Sequence, residues 1–189
     1  AFVQELLDLY GGPERAWQIF KEDYTRVAAA WNQDTGTIGR ILRAHLFVEH
    51  FLAEYLSARN PELGSLEEAR LTFNQKLALV GEGTGGVLYL LPGARRLNAI
   101  RNRLVHSLRA EVTAEDADAF LAIDLFRAMR DAGHAPRAAS VDPIDVLEDF
   151  AKHAGLSLHA SASRDAGLWS EAFRRAEARR AAARGPSAT

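Results

Sequence analysis

Apolar residues recur at steps of three and four positions along most of this chain, and no segment shows the strict alternation that is typical of a strand. A clear series follows the first proline and consists of Trp17, Phe20, Tyr24, Val27 and Trp31. Because an α-helical turn takes about 3.6 residues, such a series predicts an amphipathic helix whose apolar face packs in the core. The pattern therefore predicts an all-α fold.

Capping and breaking residues divide the chain into separate helices. Asp34 supplies a cap for a long helix that ends before Pro61. Ser65 and Glu68 match a capping box, and Thr113 caps a later helix. The four helices predicted in this way cover residues 37–59, 65–80, 92–110 and 113–133. Short to moderate loops join them, so we predict an antiparallel four-helix bundle core with extra N-terminal and C-terminal helices.

The chain is expected to form two parts. Residues 1–133 would form the helical bundle, with a core at about 35–133 and N-terminal helices within 1–33. Residues 134–189 would form a helical C-terminal extension that ends in a basic tail rich in Arg and Ala. This tail is either a solvated segment or an arm that binds an RNA backbone or a partner protein.

Composition excludes several classes of site. The net charge of −2 gives no global attraction to nucleic acid, so any RNA contact must come from a local patch. The absence of cysteine excludes disulfides, thiolate metal sites and cysteine nucleophiles, and it is consistent with a reducing cytoplasm. No apolar run reaches the length of about 20 residues that a membrane span needs. We therefore expect a cytoplasmic protein that does not associate with membranes.

Two sets of side chains share the predicted helix around residues 97–108. The apolar set forms a stripe that faces the core and consists of Leu97, Ile100, Leu104 and Leu108. The polar set lies opposite, faces outward and consists of Arg95, Asn98, Asn102, His106 and Arg109. Arg101 projects between the two faces, about 140° from His106 on the helical wheel. Arg101 and His106 can therefore meet only through the length of the arginine, a break in the helix or a second copy of the chain.

Arg101 and Asn102, followed after three residues by His106, resemble the Arg-x4-His motif of the HEPN superfamily. The resemblance covers about residues 35–133. It implies a small helical bundle that is often a dimer and acts as a metal-independent endoribonuclease, with two motifs paired across the interface. Other members keep the bundle and only bind. The resemblance thus implies a homodimer of toxin or phage-defence type that cleaves single-stranded RNA, with an antitoxin or regulatory protein as a further partner.

The resemblance also assigns roles to residues. His106 would be the acid/base group, Arg101 the ligand of the phosphate and its transition state, and Asn102 a polar group that orients them. These groups suit the chemistry, because a 2′-hydroxyl must lose a proton and the attacked phosphate gains charge. Outside the chemistry, further phosphate contacts would come from Arg95, Arg103 and Arg109. No metal or cofactor is implied.

Two alternatives to this assignment remain open. His106 could be an ordinary surface histidine that is bonded to Asn102, because isolated histidines are common on helices. The whole protein could be a noncatalytic, HEPN-like dimeric module that binds or regulates a partner, because a shared fold does not establish activity.

Glu49 lies within the apolar face of the helix predicted at 37–59. A buried carboxylate needs a partner, and His45, one turn earlier, is the local candidate. Arg101 and Arg103 are the distant candidates. Glu49 and His45 would then either form a core ion pair that sets the helix register or support Arg101.

Two further patterns resemble ligand sites. His45 and His50 are five residues apart and point to different faces of a helix, which argues against a metal site. The glycine-rich stretch at 81–86 follows no strand and lacks a closing Gly-Lys-Ser/Thr, so it is expected to be a flexible connection and not a phosphate cradle. The remaining histidines have no ligand spacing and are expected at the surface: His134, His153 and His159.

Overall fold

The computed structural model describes residues 1–62, 64–66, 68–81, 86–107, 111–163, 166–168, 171–172, 174–175 and 179. The predicted phosphate ligand Arg109, most of the glycine-rich connection and most of the basic tail lie outside these residues. All regular secondary structure in the described residues is helical, which confirms the predicted all-α class. The helices are α1 (Phe2–Leu9), α2 (Pro13–Trp31), α3 (Thr35–Arg59), α4 (Phe73–Ala78), α5 (Leu91–Ser107), α6 (Ala114–Leu121), α7 (Asp124–His134) and α8 (Pro143–Ala162), and a 3-10 turn at Leu88–Leu90 precedes α5.

Helix α3 begins where its cap was predicted. The Asp34 side chain accepts a hydrogen bond from the Gly36 amide at 2.9 Å, and the helix runs to Arg59. Such a cap satisfies one of the amide groups that the first turn of a helix leaves without a partner. The predicted helix at 37–59 is thus confirmed, with a start two residues earlier.

Helix α4 is much shorter than the helix predicted at 65–80. The Ser65 hydroxyl does accept a hydrogen bond from the Glu68 amide at 3.1 Å. Arg70, however, has a φ of 49°, a left-handed conformation that an α-helix cannot continue through. The helix begins after Thr72, which forms a second capping box with Gln75. The prediction of one helix from residue 65 was therefore wrong, because two capping signals compete and the second one starts the helix.

The hydrophobic core lies among α3, α5, α6 and α8. The ring of Phe150 in α8 stacks on Phe120 at 4.7 Å between centroids and meets Phe126 edge-on at 5.6 Å. Helix α8 belongs to the part of the chain expected to be a C-terminal extension, yet its apolar residues join the same core as α3 and α5. It packs closely along α3, since a Cβ on Gly155 would lie 2.3 Å from Cε1 of Phe47. α8 is thus an integral part of the core.

Helix α2 does not pack as predicted. Trp17 is 72% exposed and Trp31 is 86% exposed, and Ala16 is the buried residue of this helix. The aromatic contact of Phe20 is with Tyr10 beside α1, at 5.1 Å between ring centroids. The expectation that this stripe lies in the core was wrong, because an apolar periodicity defines a helix face and does not supply the surface that covers it.

No helix in the described part of the chain combines the length and apolar character that crossing a bilayer requires.

Candidate nucleic-acid interface

Helix α5 presents one apolar face and one polar face, as its sequence predicted, but Asn98, which was expected to face outward, is buried. Leu97 and Ile100 are fully buried and Leu104 is nearly so, which fixes the rotation of the helix against the core. Arg95 and His106 are exposed on the other side. The burial of the apolar stripe therefore determines which side chains of α5 are available to a ligand.

An open groove of about 440 Å³ runs between α4 and α5. Its walls contain one guanidinium, three side-chain amides and three aliphatic side chains. None of the lining side chains is a carboxylate. The lining residues are Asn74, Leu77, Ala78, Arg95, Asn98, Ala99 and Asn102. A groove with this composition favours an anionic or acceptor-rich ligand over a cation.

The three predicted catalytic residues occupy the C-terminal half of α5. Arg101 Nη1 donates a hydrogen bond to Asn102 Oδ1 at 3.2 Å, and both side chains are half-buried. His106 is exposed one turn beyond Asn102. No hydrogen bond within the described residues involves the imidazole of His106, so the suggested bond to Asn102 is not among those observed. Arg101 and His106 thus share a helix but are not brought into contact within one chain.

A hydrogen-bonded series of polar side chains leads from α3 to the groove, and its first two members, His45 and Asn98, are buried. His45 Nε2 lies 3.2 Å from Asn98 Oδ1, and Asn98 Nδ2 donates to Asn74 Oδ1 at 3.0 Å. The imidazole also packs on the ring of Phe73, with 4.5 Å between centroids. Burial lowers the pKa of His45, although the hydrogen bond to Asn98 Oδ1 and the charge of Glu49 oppose the shift. The imidazole is therefore neutral at neutral pH.

Glu49 has a cationic partner that the sequence reasoning did not consider. Lys76 Nζ in α4 donates to Glu49 Oε1 at 2.7 Å, and His45 Nδ1 lies 3.7 Å from Oε2. The described hydrogen bond of Arg101 goes to Asn102 instead. Glu49 therefore joins α3 to α4, and His45 links this ion pair to the amides beside the groove.

Arg103, predicted as an RNA contact, forms an ion pair with the fully buried Asp116 of α6. Arg96 pairs with the same carboxylate, which also accepts a hydrogen bond from the Thr113 amide at 2.9 Å. Burial raises the pKa of Asp116, but the hydrogen bonds from Arg103 and the Thr113 amide and the nearby arginine charges outweigh it, so the net pKa is lowered. Arg103 thus anchors α5 to α6, whereas Arg95 is exposed at the groove.

Three features of this region were not predicted from the sequence: the contact made by Asn74, the ion pair of Lys76 and the burial of Asn98. Asn74 and Lys76 lie in the short helix α4, whose position over α5 follows from tertiary packing. The available signal was the cluster of polar residues beside Phe73 and Leu77, which are both buried.

His153 departs from its expected surface position. It is half-buried, its Nε2 lies 2.8 Å from the hydroxyl of Tyr89, and burial lowers its pKa. His134 and His159 are exposed, as expected. Among the residues that the structure describes, no three His, Asp or Glu side chains gather in a geometry that could hold a metal ion.

In comparisons with known proteins, no family model, curated protein or solved structure matches this chain.

Proposed function

We propose that this protein is a cytoplasmic, metal-independent endoribonuclease of toxin or phage-defence type, built on an antiparallel four-helix core and active on single-stranded RNA as a homodimer. The observation that carries the proposal is the groove beside α5, which lacks carboxylates along its walls and contains Arg95 and Asn102. From this groove, the polar face of α5 continues along the helix to the exposed imidazole of His106. An RNA strand suits such a surface, because its phosphates are anionic and its bases carry many acceptors.

The proposed reaction uses one imidazole and one guanidinium. His106 removes the proton of a 2′-hydroxyl, and the 2′-oxygen attacks the adjacent phosphorus while the bond to the 5′-oxygen breaks. Arg101 stabilises the negative charge that develops on the nonbridging oxygens. The departing 5′-oxygen takes up a proton from the imidazolium or from water. The products are a 2′,3′-cyclic phosphate and a 5′-hydroxyl.

A second copy of the chain is part of the proposal because of the helical geometry. Arg101 and His106 are separated by about 140° around α5, so one copy does not direct both groups at the same phosphate. A dimer in which the two α5 helices face each other brings Arg101 of one copy towards His106 of the other. Arg95 adds a phosphate contact at the groove, whereas Arg103 is engaged by Asp116.

The test is cleavage of a single-stranded RNA by purified protein in EDTA. His106→Ala and Arg101→Ala should each lower the rate by about 100-fold or more, since each removes a group that acts on the reacting atoms. The exposed residues His159 and Arg127 provide matched controls, and His159→Ala and Arg127→Ala should cleave at the wild-type rate. Equal cleavage by wild type and both site variants would show that the activity resides elsewhere.

The exposed aromatic face of α2 favours a second candidate function. A surface with Trp17 and Trp31 uncovered is typical of a protein that binds another protein. In this case the chain is a noncatalytic module that is dimeric through the α5 face and binds or regulates a partner. Absence of RNA turnover, together with partner binding that is weakened by Arg95→Ala or Asn102→Ala, is the expected result for this alternative.

A further inference from the structure

The hydrogen bonds beside the groove engage the oxygen atoms of its amides. Asn102 Oδ1 accepts from Arg101, and Asn74 Oδ1 accepts from Asn98. Within the part of the chain that the structure describes, the NH2 groups of Asn74 and Asn102 donate no hydrogen bond. Together with the guanidinium of Arg95, the polar groups left for a ligand are therefore hydrogen-bond donors.

The chemistry of Arg101 fixes the direction of the first of these bonds. A guanidinium has donors only, so the oxygen of Asn102 must face Arg101. Asn98 Oδ1 faces His45 Nε2, and a neutral imidazole that carries its proton on Nε2 donates to this oxygen. The NH2 group of Asn98 is then directed at Asn74 Oδ1. His45 and Asn98 are only 5% and 8% exposed, so the surrounding core holds both side chains in place.

We propose that Arg95, Asn74 and Asn102 form a donor-only site for one phosphodiester group of a single-stranded RNA, and that Asn98 and His45 are positioning residues that orient the Asn74 amide. The proposal rests on the proposed function for the identity of the ligand and adds to it a phosphate subsite next to the reacting groups. The guanidinium supplies the charge, and the two amides supply neutral donors at set directions. A carboxylate in the wall would repel a phosphate, and none of the lining side chains is one.

The first test measures binding of a fluorescent 2′-O-methyl RNA strand to the full chain by anisotropy. This strand lacks the free 2′-hydroxyl that the proposed reaction needs, so binding is measured apart from cleavage. Asn74→Asp replaces the NH2 group by an oxygen of similar size and should weaken binding by at least about tenfold. Asn32→Asp adds the same charge at an exposed position just past the end of α2 and should change binding less than about twofold.

Arg95→Ala provides a variant whose folding is not in question, because the side chain is exposed. It should weaken binding and lower the slope of log K against log salt by about 0.7, the value for loss of one phosphate contact on a single strand. Arg127→Ala should leave that slope unchanged. An unchanged slope for Arg95→Ala, or unchanged binding by correctly folded Asn74→Asp, would overturn the site.

The positioning role of Asn98 requires a separate readout. In the wild type, the side-chain NH2 resonances of Asn74 and Asn102 should both shift in an NMR titration with the 2′-O-methyl strand. In Asn98→Leu, which adds no charge to the groove, the donor to Asn74 is lost, so the Asn74 shift should shrink while the Asn102 shift persists. A purely structural role for Asn98 would leave both shifts intact or remove both of them, and either result overturns the assignment.

The ligand and the reaction are separable in these experiments. If the protein binds inorganic phosphate but does not bind the 2′-O-methyl RNA, this result would contradict a subsite for an RNA strand. Binding that depends on Asn74 and Arg95 without any cleavage by wild type would support the subsite and contradict the endoribonuclease. Cleavage that depends on His106 but not on Asn74 or Arg95 would support the endoribonuclease and contradict the subsite.

Discussion

His45 Nε2 and Asn98 Oδ1 lie 3.2 Å apart across the contact between α3 and α5, and both side chains are buried. A buried polar group without a partner costs about 1–3 kcal/mol, so each of these side chains depends on the other. The charged groups around the imidazole are Glu49, Lys76 and Arg101. The pair therefore connects the core to the groove and makes the fold sensitive to protonation.

We predict that the free energy of unfolding falls as the pH drops below about 6.5, the ordinary pKa of histidine in an unfolded chain. Burial lowers the pKa of His45 and of His153 in the fold, so the unfolded chain binds these protons more readily. Above that pH both states are neutral and the effect vanishes. Urea unfolding between about pH 7 and about pH 5 should show a smaller decrease for His45→Gln than for wild type. The exposed His50 is the control, and a slope as steep in His45→Gln as in His50→Gln would contradict the prediction.

The ion pair between Glu49 and Lys76 should stabilise the fold measurably. Its side chains are 26% and 14% exposed, so water screens it less than a surface pair. A double-mutant cycle with Glu49→Gln and Lys76→Met should give a coupling of about 1–2 kcal/mol. The same cycle on the exposed pair Arg127 and Asp124 should give less than about 0.5 kcal/mol. Equal couplings for the two pairs would show that burial does not strengthen the first.

Asp116→Asn should lower the free energy of unfolding by about 2–3 kcal/mol at neutral pH, because it weakens the bonds to Arg96 and Arg103 and the cap of α6. The exposed Asp118, two residues later, is the matched control. Asp118→Asn should change the free energy of unfolding by less than about 0.5 kcal/mol. The pKa of Asp116 is lowered in the fold, so its contribution is present above about pH 3.9 and is lost as the pH falls further. Urea unfolding should therefore show that the difference in the free energy of unfolding between wild type and Asp116→Asn, here called the gap, is smaller in acid than at neutral pH. A gap that stays constant would argue against the ion pairs as its cause.

Gly93→Ala should destabilise the protein although alanine favours helices. A Cβ at this position would lie 2.4 Å from the ring of Phe150, which is held in the core by Phe120 and Phe126. Overpacking of this kind costs about 1–3 kcal/mol, more than the gain of about 1 kcal/mol in helix propensity. Gly39→Ala in α3 meets no atom within 4 Å and should instead stabilise by about 0.5–1 kcal/mol. Chemical denaturation of both variants checks the opposite signs, and equal signs would refute the packing argument.

Truncation of the α2 aromatics should have little effect on stability. Trp17→Ala and Trp31→Ala remove side chains that remain in water, so each should change the free energy of unfolding by less than about 1 kcal/mol. Phe150→Ala removes a fully buried ring and should cost about 3–5 kcal/mol. Thermal and urea unfolding of the three variants would reveal a comparable loss for the tryptophans if α2 were part of the core.

Local signals were sufficient for the elements whose structure depends on nearby residues. Asp34 predicted the start of α3, and the spacing of Leu97, Ile100 and Leu104 predicted which face of α5 is buried. Both features depend on hydrogen bonds or packing directions within one helix. The rotation of α5 also predicted that Arg95 and His106 are exposed.

Features that depend on distant contacts were not predictable in this way. Glu49 pairs with Lys76, 27 positions later in the chain, and Arg103 pairs with Asp116 on another helix. The periodicity of α2 identified an apolar face but contained no information on a covering surface. Ser65 formed its predicted bond without starting a helix, because a local cap contributes only about 1 kcal/mol and Arg70 interrupts the segment.

The close crossing of α3 and α8 has a consequence for how this chain can vary among related sequences. Helix α3 contacts α8 through Phe47 and contacts α5 through His45. The same helix therefore takes part in both interfaces. A larger residue at position 155 would push α3 away from α8 unless Phe47 shrinks or turns outward. A displaced α3 would also move His45 relative to Asn98 beside the groove. We therefore expect positions 47 and 155 to change together during evolution, although neither residue lines the groove.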